Sequence, residues 1–369
     1  MRKLAIIGAS YLQLPLVKRA KEMGLYTICF AWEKGAVCKD IADKFYPISI
    51  VEKEQILAIC QLEQIDGICT IASDTAAPTV AYVAEQMGLV GNSYESALHA
   101  NDKYLMRNAL QSAGILCPLF QMVKSAEEEL NDVFTYPLII KPTDRSGSLG
   151  VTKVSDVVAR KYALQTALEY SFKHEAIVEE YIEGREISVE FISYQGKHYP
   201  LQITDKVTTG APHFVELEHH QPADLTLDQR SEIYRLTIKA LDALGVTNGA
   251  SHSEYRITKD GNIYVIEIGA RMGGDFIGSD LVQLSTGYDF LRGVIEVALG
   301  EFTPPQLKEQ KYSGVYFLCT ETNYLDLYFQ QPPSCVVAYE RTRKMLSHVT
   351  CSGDRSGYLI YQSDRKVKL

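Results

Sequence analysis

The chain has 369 residues, 46% of them hydrophobic and 22% charged, with a formal net charge of −9. That length exceeds what one ordinary hydrophobic core serves, so two or three domains are expected. The acidic balance without a basic block speaks against a nucleic-acid partner, and no apolar run approaches the roughly 18 residues of a membrane span.

Eight cysteines (Cys29, Cys38, Cys60, Cys69, Cys117, Cys319, Cys335, Cys351) show no CxxC spacing, and several lie in apolar strand-like runs. They read as reduced core residues of a cytoplasmic protein. Met1-Arg2-Lys3 is followed only by Leu4-Ala5-Ile6-Ile7 before Gly8, too short for the apolar core of a secretion signal. Small-molecule chemistry is the default expectation.

In chain order, Leu4 to Ile7 reads as a buried strand, Pro15 to Met23 as a helix stopped by Gly24, and Tyr26 to Ala31 as a second strand. A helix over Lys53 to Gln64, a strand over Gly67 to Ile71 and a helix over Ala77 to Met87 follow, the last stopped by Gly88. Strands separated by helices of this length form a parallel sheet covered on both faces. Such sheets place ligands at the carboxyl ends of their strands, where Gly8-Ala9-Ser10-Tyr11 and Ser73-Asp74-Thr75 stand. A dinucleotide site fails here, because positions 8 to 13 lack the second and third glycines of that fingerprint.

From Asn101 the texture changes. A helix bearing Lys103 and Arg107 runs to about Ala113, and after Pro137 come antiparallel-looking strands separated by turns, with Tyr194-Gln195-Gly196-Lys197 and Lys259-Asp260-Gly261-Asn262 the clearest. Helices are expected over Ser155 to Tyr170 and Leu227 to Leu244, with Gly245 as a C-cap. The fold class is therefore an α/β N-terminal parallel-sheet domain over 1–100, followed by an α+β domain over 101–303. A β-rich region over 304–369 begins near Pro304-Pro305.

Three segments carry chemistry. A two-residue turn at Asp260-Gly261 would set Glu254 directly opposite Glu267, with His252, Arg256, Val265 and Gly269 on the same face. Opposed carboxylates repel, and a hard divalent cation between them would explain the pair; a solvated face with Arg256 neutralising one glutamate, or a bulge that shifts the register, is the plain alternative. Next, the strand Leu138-Ile139-Ile140 delivers Lys141, and the loop Ser146-Gly147-Ser148-Leu149-Gly150 follows. Backbone N–H groups of such a loop can wrap phosphate oxygens with the lysine as a point charge, although a flexible hairpin would look the same. Third, Glu179-Glu180-Tyr181-Ile182 leads into Glu183-Gly184-Arg185-Glu186, an extended backbone that could meet an adenine edge, with a carboxylate beyond it for ribose.

The order of these pieces, a helix lysine, a strand lysine with a Gly/Ser loop, a Glu-Glu-Tyr-Ile-Glu-Gly-Arg-Glu hinge and an acidic hairpin ending Glu267-Ile268-Gly269-Ala270-Arg271, resembles the ATP-grasp superfamily over nearly the whole chain. The ending looks like the branch with L-amino acid ligases and carbamoyl-phosphate-synthase-like proteins. The resemblance implies that Lys103 and Lys141 contact ATP phosphates under the Ser146 to Gly150 loop, and that Glu179, Glu180, Tyr181 and Ile182 line the adenine. Glu186 would take the ribose, Glu254 and Glu267 would bind Mg²⁺ (or Mn²⁺), and Arg271 would stabilise the transferring phosphoryl group. Many members carry Asn where this chain has Gly269. The region 304–369 would complete the substrate lobe.

The implied reaction is ATP-dependent formation of an amide or peptide bond from a carboxylate and an amine, with amino acids as the implied substrates, through an acyl phosphate. Glu216 or His219 could hold an ammonium, His252 and Arg271 a substrate carboxylate, and Ser279 and Asp280 are further candidates, whereas an exposed His219-His220 pair is the plain alternative. Bicarbonate activation and a non-catalytic ATP-binding module are the competing readings. A homodimer is common in the resembling family.

Overall fold

The computed structural model describes residues 1–308 and 310–369. It contains three sheets. The first is parallel, with strands in the order Lys44–Tyr46, Tyr26–Phe30, Lys3–Ile7, Gly67–Cys69. Alternation along strand Lys3–Ile7 shows how both faces are covered: Leu4 and Ile6 pack with Leu16, Val17 and Ala20 of helix Leu14–Glu22, while Ala5 and Ile7 pack with Ile56 and Cys60 of helix Lys53–Glu63 and Val83 of helix Ala77–Met87. The short edge strand Lys44–Tyr46 and the helix Tyr94–Asn101 have no counterpart in the sequence reading. The expected helix bearing Lys103 and Arg107 spans Lys103–Ser112; it begins at Lys103 because Asp102 leaves helical geometry (φ −97°, ψ 116°) and its carboxylate accepts from the N–H groups of Tyr104 and Leu105 at 3.0 and 3.1 Å.

The second sheet is antiparallel, in the order Phe120–Val123, Ala176–Glu180, Leu138–Pro142, Thr152–Val154, backed by helix Val157–Tyr170. The third has eight strands: Ile263–Gly269, Gly249–Ile257, Arg185–Tyr194, Lys197–Thr208, Glu216–Gln221, Tyr312–Leu318, Gly357–Ser363, Val336–Arg341. The strands after Pro305 thus extend the sheet of the middle region. One face of this sheet, with Ile187, Val189, Ile203, Tyr255 and Val265, is sealed by helices Lys103–Ser112 and Leu227–Leu244. The second helix has the expected bounds. Thr226 and Gln229 form a capping box at its start, and Gly245 (φ +71°) closes its end.

Helix Phe290–Ala298 ties the first and third sheets together. Its Val294, Ile295, Val297 and Ala298 share one core with Leu4, Ile6 and Cys69 of the parallel sheet and with Ile192 and Ala250 of the large one. Gly67 lets it approach, since a Cβ there would lie 2.7 Å from the Ala298 carbonyl oxygen. The carboxyl ends of the parallel strands are thereby held against the polar part of the large sheet.

Candidate functional site

Glu254 and Glu267 are cross-strand partners, but the expected turn is not what aligns them. Thr258 N–H donates to the Asn262 carbonyl (2.9 Å) and Gly261 N–H to the Thr258 carbonyl (3.0 Å), with Gly261 at φ +83°. The loop therefore spans three residues, a geometry that needs left-handed backbone at its third. Near the turn the pairs are Ile257 with Ile263 and Tyr255 with Val265; a bulge between Val265 and Glu267 then shifts the register by one. The two offsets cancel. The same bulge corrects the placing of Val265, which lies on the buried Tyr255 face, while Tyr264 stands opposite Arg256 on the glutamate side.

Each carboxylate on this face has a cation beside it. Lys206 Nζ lies 2.5 Å from Glu254, 3.3 Å from Glu186 and 3.5 Å from Glu216. Lys103 Nζ lies 3.3 Å from Glu267, and Arg256 Nη2 donates to Glu186 at 2.9 Å. Burial opposes the charge on Lys206, yet its three carboxylates hold it well above the usual lysine range. Burial likewise opposes ionisation of Glu254, and Lys206 with His252 holds it well below the usual carboxylate range. His252, expected at a substrate carboxylate, instead pairs through Nδ1 with fully buried Glu190 and through Nε2 with Glu254 at 3.3 Å. Desolvation works against its charge, but these partners raise its pKa to about 9. Lys206 and Glu190 were not singled out in the sequence. Only strand order shows Lys197–Thr208 beside Arg185–Tyr194, so that Lys206 meets Glu186 and Glu254.

Glu179 has a different place from the adenine-lining one expected. It is buried, 2.9 Å from Arg107 Nε and 2.8 Å from Lys141 Nζ. Burial alone would raise its pKa; Arg107 and Lys141 outweigh that and hold it low. Burial pushes Lys141 below the usual lysine range, with Glu179 opposing. Lys103 Nζ also donates to the Arg145 carbonyl at 2.6 Å, which brings the root of the Ser146 to Gly150 loop to the Glu267 side. In that loop Gly147, Ser148 and Gly150 have φ of +66°, +58° and +72°. Gly150 is further constrained, since a Cβ would meet Pro142 Cγ at 3.0 Å.

At the hinge, Glu180 N–H donates to the Leu119 carbonyl (3.0 Å) and Tyr181 N–H to the Pro137 carbonyl (3.2 Å). The Glu180 carboxylate accepts from Leu119 N–H at 3.0 Å. Among the described residues the Ile182 N–H has no such partner. Tyr181 presents its ring to Lys153 (3.6 Å to the centroid) and Arg256 (5.4 Å).

His219 and His220 are both buried, so the exposed-pair reading does not hold. His220 bonds Tyr361 Oη (2.9 Å) and Glu218 (2.8 Å). His219 packs edge-on to Phe317, and burial followed by the Lys206 charge pushes its pKa well down. Glu216 receives Arg355 Nη2 at 3.1 Å, while Arg355 Nη1 reaches Asp275 at 2.8 Å and its guanidinium stacks on Phe317. Arg355 was not foreseen; it comes from the C-terminal strands' approach to Glu216–Gln221. Arg271 is paired with Asp74 at 2.6 Å. Ser279 and Asp280 hydrogen-bond each other at 2.5 Å; among the described residues neither is in hydrogen-bond contact with the Glu254–Glu267 pair.

Against known proteins, residues 134–280 match the ATP-grasp domain family. Alanine–anticapsin ligase of Bacillus subtilis is 30% identical over 264 residues, 63% of this chain and 55% of the relative. The N-terminal section of the carbamoyl phosphate synthase large chain of Aquifex aeolicus is 27% identical over 235 residues, 61% of this chain and 41% of the relative. The chain spans about half the length of the Bacillus relative. L-amino acid ligase from Bacillus licheniformis superposes with a TM-score of 0.82 at 23% identity, covering 99% of this chain and 94% of the other, which shows a shared fold. Residues 134–280 are thus similar to the ATP-grasp domain family, and the chain as a whole shares the fold of the L-amino acid ligase.

Proposed function

We propose that the protein is an ATP-dependent carboxylate–amine ligase acting on amino-acid substrates. The observation that carries this reading is the in-register Glu254–Glu267 pair, flanked by Lys103 and with Lys141 and Arg271 close by. Both carboxylates keep part of their surface open, 23% and 26% of the side chain. Among the described residues no three His, Cys, Asp or Glu side chains are grouped to hold a metal by themselves. Two carboxylates fit a Mg²⁺ that takes its remaining oxygens from phosphates and water. When bound, that cation would neutralise charge on the phosphates.

The chain's own residues supply the rest. Lys103 and Lys141 place positive charge at the phosphates, and the Ser146 to Gly150 loop closes over them. The Ile182 N–H meets the adenine edge, and Glu186 lies toward the ribose. A substrate carboxylate oxygen attacks the γ-phosphorus as the bond to ADP breaks, giving an acyl phosphate, with Arg271 stabilising the charge in transit. An amine nitrogen then attacks the acyl carbon; the carbon–oxygen bond to phosphate breaks and the amine proton passes to water. Glu216 lies toward the ammonium of an amino acid.

The test is ADP release from ATP and Mg²⁺ with pooled amino acids. Release that requires both an amino acid and a second amine supports the reading, whereas release driven by bicarbonate alone overturns it. Glu267→Gln should abolish turnover with the circular-dichroism spectrum unchanged, and undiminished ADP production in that variant removes the metal-site assignment.

A further inference from the structure

We infer that Asp74, carried by the N-terminal parallel sheet, is a positioning residue that fixes the Arg271 guanidinium from the space a side chain at position 269 would fill. The inference rests on the proposed ligase reading and adds to it a part for the N-terminal region.

Gly269 follows Glu267 by two residues on the same face of its strand and pairs with His252. A Cβ there would lie 2.7 Å from Asp74 Oδ1 and 3.2 Å from Arg271 Nε and Cζ. The carboxylate of one segment therefore stands where the side chain of another would be. It is well fixed there. Asp74 is 8% exposed, and its Oδ2 accepts from Arg271 Nη2 at 2.6 Å. The segment leading to it is stitched across the sheets: Ile71 and Met272 form a parallel bridge, Ala72 N–H donates to the Met272 carbonyl at 3.1 Å, and Gln13 Nε2 donates to the Ile71 carbonyl at 2.8 Å. Ala72 adopts φ +55°, a left-handed turn that costs a β-carbon residue energy and persists when its surroundings fix it.

The guanidinium itself is poised. Nη1 donates to the Met272 carbonyl at 3.3 Å and Nη2 to Asp74. Nε is buried and, among the described residues, has no hydrogen-bond acceptor, and each Nη nitrogen keeps a second N–H, so the guanidinium retains donors for an anionic ligand. Arg271 also lies in the field of Glu267 and Glu190. Without Asp74 the guanidinium is drawn toward Glu267, where it competes for an oxygen the cation needs. Asp74 acts through Arg271, so its loss changes the rate of the phosphoryl step more than the binding of nucleotide.

The experiment compares wild type, Asp74→Asn, Asp74→Ala and the double variant Asp74→Ala/Gly269→Asp. An aspartate at 269 places its carboxylate oxygen about 2.4 Å from its own Cβ by standard bond lengths, close to where Asp74 Oδ1 now lies. With an amino-acid pair that wild type turns over, both single variants should lose about tenfold or more in kcat, with KM for ATP changed by less than about threefold. The double variant should recover most of that loss. Wild-type kcat in Asp74→Ala, or no recovery in a double variant whose thermal midpoint is restored, overturns the inference. A ligand-free measurement checks the contact independently. Gly269→Ala should lower the thermal midpoint in wild type and have little effect in the Asp74→Ala background; additive effects overturn the placement. If wild type turns over no pair of substrates, the ligase reading falls with no bearing on that midpoint cycle.

Discussion

Glu179→Gln tests whether the buried charge cluster holds the nucleotide side of the site together. Arg107 is completely buried and Lys141 nearly so, and Glu179 is the carboxylate within 3 Å of both. Glutamine keeps the shape and removes the only negative charge in that pocket among the described residues at ion-pair distance from these two cations. Breaking a buried pair by neutralising one partner costs about 3–5 kcal/mol, because the other charge stays behind desolvated. For a domain of about 150–250 residues that corresponds to a thermal midpoint lower by on the order of 6–20 °C. Lys141, already pushed down by burial, then loses the carboxylate that opposes its deprotonation, so nucleotide affinity should fall as well. Replacing Lys141 by methionine in the same variant removes one stranded charge and should restore part of the midpoint but none of the affinity. Differential scanning calorimetry of the ligand-free proteins, with ATP titration by calorimetry, reads both. A Glu179→Gln midpoint within a degree of wild type would refute the reasoning.

His219 predicts an acid response of the opposite origin. It is buried neutral, with its pKa well below that of the unfolded chain (about 6.5); the unfolded state therefore binds the proton first, and the stability present above pH 6.5 is lost as the pH falls below it, at up to about 1.4 kcal/mol per unit. Urea titrations at pH 5 and pH 7 should show a smaller difference in His219→Gln than in wild type; equal differences would exclude His219 as the titrating group. Gly184→Ala should destabilise by about 1–3 kcal/mol, because a Cβ there meets the Ile257 carbonyl oxygen at 2.5 Å; an unchanged urea midpoint would show that the two strands separate freely. Thr226→Ala removes the capping-box acceptor of helix Leu227–Leu244 and should cost about 1 kcal/mol, measured by the same titration.

Local chemistry makes the inner strands of the first sheet and helices Leu14–Glu22, Lys53–Glu63, Ala77–Met87 and Leu227–Leu244 legible in the sequence, whereas edge strand Lys44–Tyr46 and helices Tyr94–Asn101 and Phe290–Ala298 are not. Thr226 with Gln229 marks a helix start and Gly245 an end whatever the rest of the chain does, and Gln195-Gly196, both at positive φ, make the two-residue hairpin their types demand. The Glu254–Glu267 register was reached through a turn that is one residue longer than supposed and a bulge that sequence does not announce. Contacts between distant segments were not legible at all. Asp74 and Arg271 are 197 positions apart, and nothing in either neighbourhood encodes the other. The strand Glu216–Gln221 is polar at five of its six positions and looks solvated, yet Phe317 covers His219 and Tyr316 with Tyr361 covers His220, the last of them 141 residues on.

Those hidden partners share one consequence. Every carboxylate that the proposed chemistry assigns to a cation or a sugar is already held by a basic side chain: Glu254 by Lys206, Glu267 by Lys103, Glu186 by Arg256. Like charges are thus kept apart before any ligand arrives, and the face is built without the repulsion that opposed glutamates alone would bring. On the proposed reading, nucleotide binding is then an exchange of ion pairs. Lys103 gives up Glu267 for phosphate oxygens as the cation takes its place, so the net cost of freeing either group is small. Lys206 has no such exchange to make, being 2% exposed and shared among three carboxylates. It is the fixed charge around which the exchanging groups are arranged.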